Sequence, residues 1–185
     1  MTQYARPDSD ISGAGDWNPG DDSGGSPEDL YATIDESSAD DNDYISATDD
    51  SGEGTTCEVG LSNVTDPSNH SNHKVKVRAK SDYGSGVSLV IKLMMGSTEI
   101  SSDTVTLSDS YQLFEPAALT NGEATNIGGQ SGYNDLRLRF TYTDDNFDGD
   151  EVFISQAYVE FPDAAAAAPA AEPDLPGAAF LMFVD

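Results

Sequence analysis

The chain has 185 residues, with 34 acidic against 8 basic side chains, a formal net charge of −26, and 37% hydrophobic residues. This length supports one core-bearing domain plus arms. The charge excludes a nucleic-acid partner, which needs clustered Lys and Arg, and disfavours an anionic membrane surface. It also resists self-association and suits a high-salt milieu, where the screening length falls to about 3 Å at 1 M.

Residues 1–28 read as a Gly/Asp-rich arm or loop, because "SGAGDWNPGDDSGGSPED" supplies turn formers and little to bury. Trp17 stands alone there, either covering a core edge or stacking on a ligand. Residues 29–162 read as a β-sandwich domain. "DLYATIDE" fits a short helix or an irregular turn, and "DYISAT" and "CEVGLS" fit strands. Cys57 is the only cysteine, so no intramolecular disulfide forms, and its strand position is that of a buried thiol.

"HKVKVRAK" alternates, with Val75, Val77 and Ala79 inward and Lys74, Lys76, Arg78 and Lys80 outward. Half of all the basic residues lie on that strand face. "GVSLVIKLMMG" is a longer buried run, "STEISSDTVTLS" suggests two short segments, and "YQLFEP" precedes a Gly/Asn-rich loop, "LTNGEATNIGGQSGYN". "DLRLRFTY" alternates with Leu136, Leu138 and Phe140 inward. "EVFISQAYVEF" alternates with a slip near Gln156, which predicts a bulge. One core is expected from Val75, Val77, Leu89, Ile91, Leu136, Leu138, Phe140, Ile154 and Val159. Short strands without long helices predict an all-β, antiparallel, jelly-roll-like sandwich with extended terminal arms.

After Phe161 the composition changes. Residues 163–177 form an Ala/Pro linker, and residues 178–185 an apolar segment in which Phe180, Leu181, Met182, Phe183 and Val184 are the expected partner-docking residues. "MTQYARPDSD" has neither a basic start nor an apolar run, so synthesis in a cytoplasm without a secretory leader is expected.

The ordered series "RPDSDIS…W…LYATIDE…DDNDYIS", "CEVGLSNVTDP", the basic alternating strand and "DLRLRF" resembles a group of β-sandwich virion, minor tail or fibre-like proteins of tailed bacteriophages. The resemblance runs from about Arg6 to Phe161. It implies a jelly-roll shape like that of carbohydrate-binding modules, location in a virion, other virion proteins as homo-oligomeric or lattice partners, and no catalytic residues.

The sharpest local pattern is "DDNFDGDE". Asp144, Asn146, Asp148 and Gly149 match the first half of a calcium loop, and Glu151 can add an oxygen. The twelfth position is Ser155 and strands flank the loop, so it is not an EF-hand; a solvated acidic hairpin tip is the competing reading. "ADDNDY" and "DDSGE" are weaker acidic clusters. The histidines of "SNHSNHK" read as part of a polar loop rather than a metal site. No nucleophile motif occurs.

These readings favour a non-enzymatic virion structural protein, specifically a capsid decoration protein on the particle surface. The alternatives are a tail or fibre component, or a carbohydrate-binding module for host attachment that uses Trp17, Tyr83, Tyr133 and Phe147 as stacking rings. No cofactor is required, and calcium is the one candidate cation.

Overall fold

In the basic strand every second side chain is apolar, and those apolar side chains must find a second layer to cover them. The computed structural model describes residues 2–13, 16–21, 29–48, 54–82, 85–143 and 150–164, and within them that layer is a second sheet. The strands are β1 (Gln3–Ala5), β2 (Pro7–Ser12), β3 (Trp17–Asp21), β4 (Asp43–Thr48), β5 (Thr55–Leu61) and β6 (Lys74–Ser81), followed by β7 (Ser85–Met95), β8 (Thr98–Ser108), β9 (Gln112–Phe114), β10 (Leu136–Thr143) and β11 (Glu151–Phe161).

The front sheet runs β3-β4-β11-β6-β9, with β1 also paired to β11, and the back sheet runs β2-β5-β10-β7-β8. Every pairing is antiparallel. The protein is therefore an all-β antiparallel sandwich. The nine expected core residues all lie between the sheets, none more than 4% exposed. Trp17 joins them, fully buried, with its ring 6.4 Å from that of Phe140.

The slip in β11 is a bulge between Ile154 and Gln156. It keeps both Ile154 and Ala157 in the core while inserting Ser155 as an extra residue. At the bulge, the Ala157 N–H donates to the Ile34 carbonyl (2.9 Å), so the segment after the 3-10 turn Tyr31–Thr33 lies along β11 between its pairings with β4 and β1. The Asp10 carboxylate accepts from the N–H groups of Leu30 and Tyr31 at 2.9 and 2.8 Å and anchors that turn.

Three expectations are corrected. Residues 3–21, expected within an arm or loop, supply three strands divided between both sheets. "TEISSDTVTLS" is one continuous strand of 11 residues, because its whole length pairs with β7 across the two-residue turn Gly96–Ser97. Gly96 has φ +54 there, a conformation that favours glycine. The Gly/Asn-rich stretch expected as a loop holds two short helices, α1 (Asn121–Ile127) and α2 (Gln130–Tyr133). The first starts in a capping box: Glu123 N–H donates to Thr120 Oγ1, and Thr120 N–H donates to Glu123 Oε2 at 2.7 Å.

Candidate ligand-binding face

Period-two alternation that buries one side of a strand turns the other to solvent, so each sheet has an outer face. On the back sheet that face mixes polar and aliphatic side chains, among them Ile11, 43% exposed. The Glu58 carboxylate is buried between Arg137 (3.1 Å) and Arg139 (2.6 Å), Thr56 bonds Thr141 (2.9 Å), and Lys92 pairs with Glu99 (2.8 Å). The aromatic residues of the back-sheet strands, Phe140 and Tyr142, both point into the core and are fully buried.

The front sheet differs. Register puts Phe153 beside Lys80, Gln156 beside Arg78, Tyr158 beside Lys76 and Glu160 beside Lys74, all on the outer face. Two aromatic groups form there. At one end Phe153 meets Tyr44 of β4 edge-to-face at 5.2 Å, and the Lys80 ammonium lies 4.7 Å from the Phe153 ring centre and 4.9 Å from that of Tyr111. Gly20, opposite Tyr44 on β3, makes room for that ring: a Cβ at Gly20 would collide with it. At the other end Tyr158 meets Tyr4 of β1 at 5.9 Å, and the Arg6 guanidinium sits 5.1 and 5.6 Å from their ring centres. Such cation–ring contacts hold flat surfaces in place at the solvent boundary.

Between the two groups lies a band of ion pairs. Asp41, reaching in from the 34–42 segment, takes two hydrogen bonds from Arg78 (2.7 and 2.6 Å) and one from the Ser155 hydroxyl (2.9 Å). The bonds from Arg78 hold the Asp41 carboxyl below its usual range. Lys76 bridges Glu115 (2.8 Å) and Glu160 (3.2 Å). Burial pushes the Tyr111 phenol up, and its hydroxyl has no hydrogen-bond partner among the described residues. Burial likewise raises Glu36 to about 7, with the neighbouring charges of Asp35, Asp43 and Asp40 adding to the shift. The Glu36 carbonyl accepts from Arg6 Nη1 (2.6 Å) and from Gln156 Nε2 (2.7 Å), which fixes the segment over the bulge.

Beside Tyr4 and Glu160 the face ends in an open hollow of about 280 Å³, lined by Thr2, Asn72, Lys74, Glu160, Phe161 and Pro162. Its base is rigid. Phe161 is fully buried, 5.0 Å from the His73 ring and 5.5 Å from that of Tyr133. His73 Nε2 and the Tyr133 hydroxyl are hydrogen-bonded at 2.7 Å, and burial lowers the His73 pKa.

The residues singled out from the sequence fall elsewhere. Of the four expected stacking rings, Trp17 and Tyr133 are buried in the core and cannot meet a ligand, while Tyr83 and Phe147 lie outside the described residues. His73, expected in a polar loop, is fully buried because it finds a partner 60 positions away; His70 bonds Thr125 Oγ1 at 3.0 Å. Asp144, Asn146 and Asp148 lie outside the described residues, and Glu151, which opens β11, donates its N–H to Asp82 Oδ1 at 2.7 Å. No group of three or more metal-binding side chains occurs among the described residues. Phe180, Leu181, Met182, Phe183 and Val184 are also outside them. Cys57 is fully buried, and burial pushes its thiol up, as for a structural thiol. The part-exposed rings that meet on the front face, Tyr4, Tyr44, Tyr111, Phe153 and Tyr158, had a legible signal: three of them occupy the polar parity of strands read as alternating or as β.

No protein-family profile and no curated protein matches the sequence. Among solved structures, a family 30 carbohydrate-binding module is similar over 92% of this chain and 92% of its own, at 15% identity and a TM-score of 0.49. The family 30 module of a Clostridium thermocellum cellulosomal cellulase aligns over 86% of this chain and 96% of its own, at 12% identity and a TM-score of 0.47. A family 61 module in complex with β-1,4-galactotriose aligns over 65% and 71%, at 14% identity and a TM-score of 0.41. The assignment of the fold rests on the strand pairing above.

Proposed function

We propose that this domain is a non-catalytic binding module that takes a glycan on the outer face of its front sheet. The observation that carries the reading is segregation: five part-exposed rings gather on one outer face, and the aromatic residues of the opposite sheet's strands are all in the core. Sugar rings present apolar C–H faces and polar edges. A surface of flat side chains separated by fixed donors and acceptors matches that combination. The rings are held in advance by Arg6, Lys80 and Gly20, so little freedom is lost when a ligand settles on them. Asp41, Glu115 and Glu160 on this face serve as ion-pair acceptors, which fixes the polar groups between the rings. This is carbohydrate binding, as considered from the sequence, but on different residues.

Affinity electrophoresis through gels containing soluble neutral polysaccharides tests the reading. Wild-type protein is expected to be retarded by at least one of them, and Tyr158→Ala or Phe153→Ala to lose roughly five- to thirtyfold in affinity. Equal mobility of wild type and both variants in every gel refutes it.

A second reading, decoration of a phage particle, is supported by the apolar run Phe180–Val184 behind an Ala/Pro stretch in the sequence, a composition that suits association with a partner. The two readings are compatible, with the sandwich as the glycan-binding head and the tail as the attachment to a virion. Deleting residues 178–185 should abolish incorporation into particles and leave the domain's Tm unchanged. A large fall in Tm would place the segment in the domain's own fold and end this reading.

A further inference from the structure

The hollow at the end of the ringed face has the size of one sugar unit and the chemistry to hold a chain end. Its volume, about 280 Å³, lies at the lower limit of ligand sites and is too small for an extended chain. Register places Tyr4, Glu160 and Lys74 in one row across β1, β11 and β6, all facing out. Neighbouring strands are about 4.8 Å apart, so the row spans about 10 Å. A pyranose in the hollow, beside the exposed Tyr4 ring, would present its edge to the Glu160 carboxylate and to the Lys74 ammonium, which both line it. One hydroxyl can donate to the first, and its neighbour can accept from the second. The Asn72 amide, with φ +59 at the rim, offers both a donor and an acceptor.

Lys74 sets this hollow apart from the rest of the surface. Arg6 and Lys80 lie against rings, and Lys76, Arg78, Lys92, Arg137 and Arg139 pair with carboxylates. Among the described residues Lys74 has neither an ion pair nor a ring contact. In a protein with 34 acidic side chains and 8 basic ones, an ammonium that lines an open hollow without a contact partner is an available donor. The wall is also stitched: Gln3 Nε2 donates to the carbonyls of Pro162 (3.0 Å) and Thr65 (2.9 Å), and its Oε1 accepts from Thr65 N–H (2.9 Å). With the buried Phe161–His73 base beneath it, the site is preorganised.

We infer that this hollow receives the terminal, uncharged pyranose of a glycan whose following units run over Tyr4 and along the ringed face, with Glu160, Lys74 and Asn72 reading vicinal hydroxyls. The inference rests on the glycan-binding reading above. A terminal sugar acid is disfavoured because the Glu160 carboxylate lines the hollow beside Lys74.

Calorimetry with cello-, xylo- and β-1,4-galacto-oligosaccharides of one to six units tests it, with the galacturonic series as an acidic comparator. Each hexamer is also used with its reducing end converted to an alditol, and separately with a methyl ether at its non-reducing end. One of the two caps is expected to lower the affinity of wild type at least about tenfold, and Lys74→Gln to lose a similar factor on the uncapped sugar. The cap and the substitution should be non-additive, because both remove the same contact. Lys92→Gln, on the other sheet, should bind as wild type, and an unchanged Tm for Lys74→Gln confirms that the fold is intact. If both caps and Lys74→Gln leave affinity within about twofold while Tyr158→Ala abolishes binding, the hollow is not the end site and the face reading stands. Tighter binding of the galacturonic series would overturn the uncharged terminus. If no oligosaccharide binds wild type, both readings fall.

Discussion

Replacing Glu36 by Gln should stabilise the protein, and only above a definable pH. The Glu36 carboxyl is half-buried, its Oε2 has no hydrogen-bond partner among the described residues, and burial with nearby Asp35, Asp43 and Asp40 raises it from 4.5 to about 7. A folded-state value above the unfolded one means that the native protein holds the extra proton between pH 4.5 and about 7. Stability therefore falls as pH rises through that window, and the full penalty is present above it. The whole shift corresponds to about 3.4 kcal/mol at 1.36 kcal/mol per unit, and solvent screening of a half-exposed group reduces this to about 1–2 kcal/mol. Gln keeps the shape of the side chain and leaves both hydrogen bonds to the Glu36 carbonyl intact. Urea unfolding of wild type and Glu36→Gln at constant ionic strength from pH 4.5 to 8 measures the difference, which other titrating groups share and cancel. The expected curve is near zero at the acid end and reaches about 1–2 kcal/mol in favour of Gln at pH 8. A difference that does not vary with pH would refute an ionisation penalty at Glu36.

Other outcomes follow from the core and its margins. Leu138→Ala, fully buried on β10, should cost about 2–5 kcal/mol, read as a lower urea midpoint with an unchanged slope. Tyr133→Phe should cost about 1–3 kcal/mol, because it strands the buried His73 Nε2 that now bonds the phenol at 2.7 Å; an unchanged midpoint would mean that this bond contributes nothing. If the 144–151 segment binds calcium through Asp144, Asn146, Asp148 and Glu151, millimolar calcium should raise Tm above that in sodium salt of equal ionic strength, and equal values would refute a calcium site there.

The legible parts of this fold were those where one residue's parity is confirmed by several neighbours. Val75, Val77 and Ala79 announce an inward face, as do Leu136, Leu138 and Phe140, and even the extra residue in β11 is readable from Ile154 and Ala157 standing an odd step apart. The strands between Gln3 and Asp21 were hidden because they are three to six residues long and rich in Pro, Asp, Ser and Gly. What makes them strands is pairing with β11, β5 and β4, far along the chain. The capping box at Thr120 and Glu123 has the pattern T-x-x-E, but it lies in a stretch whose Gly and Asn content reads as a loop. The candidate face was missed for a related reason. Attention to rings in loops favoured Trp17 and Tyr133, whose polar surroundings in sequence are replaced by the core in space. Tyr44, Phe153 and Tyr158 were in plain view at outward positions, yet their meeting depends on register between strands more than a hundred residues apart.

The distribution of charge supports treating the front face as built rather than incidental. A chain with 34 acidic side chains needs its 8 basic ones where their effect is largest. Distributed surface repulsion is screened over about 8 Å at physiological salt, so a contact within 3 Å survives where the general field does not. On the back sheet two arginines serve the single buried carboxylate Glu58, a requirement of folding, since a buried charge must be paired. On the front face Arg78 and Lys76 settle Asp41, Glu115 and Glu160, while Lys80 lies over Phe153 and Tyr111, and Arg6 lies over Tyr4 and Tyr158 as well as bonding the Glu36 carbonyl. Holding Tyr158, Tyr4, Phe153 and Tyr111 half out of the core leaves apolar surface in water, which is unfavourable for the isolated domain. That arrangement gains its return when a partner with an apolar face and a polar edge covers it, and Lys74, uncommitted at the end of the row, marks where such a partner would stop.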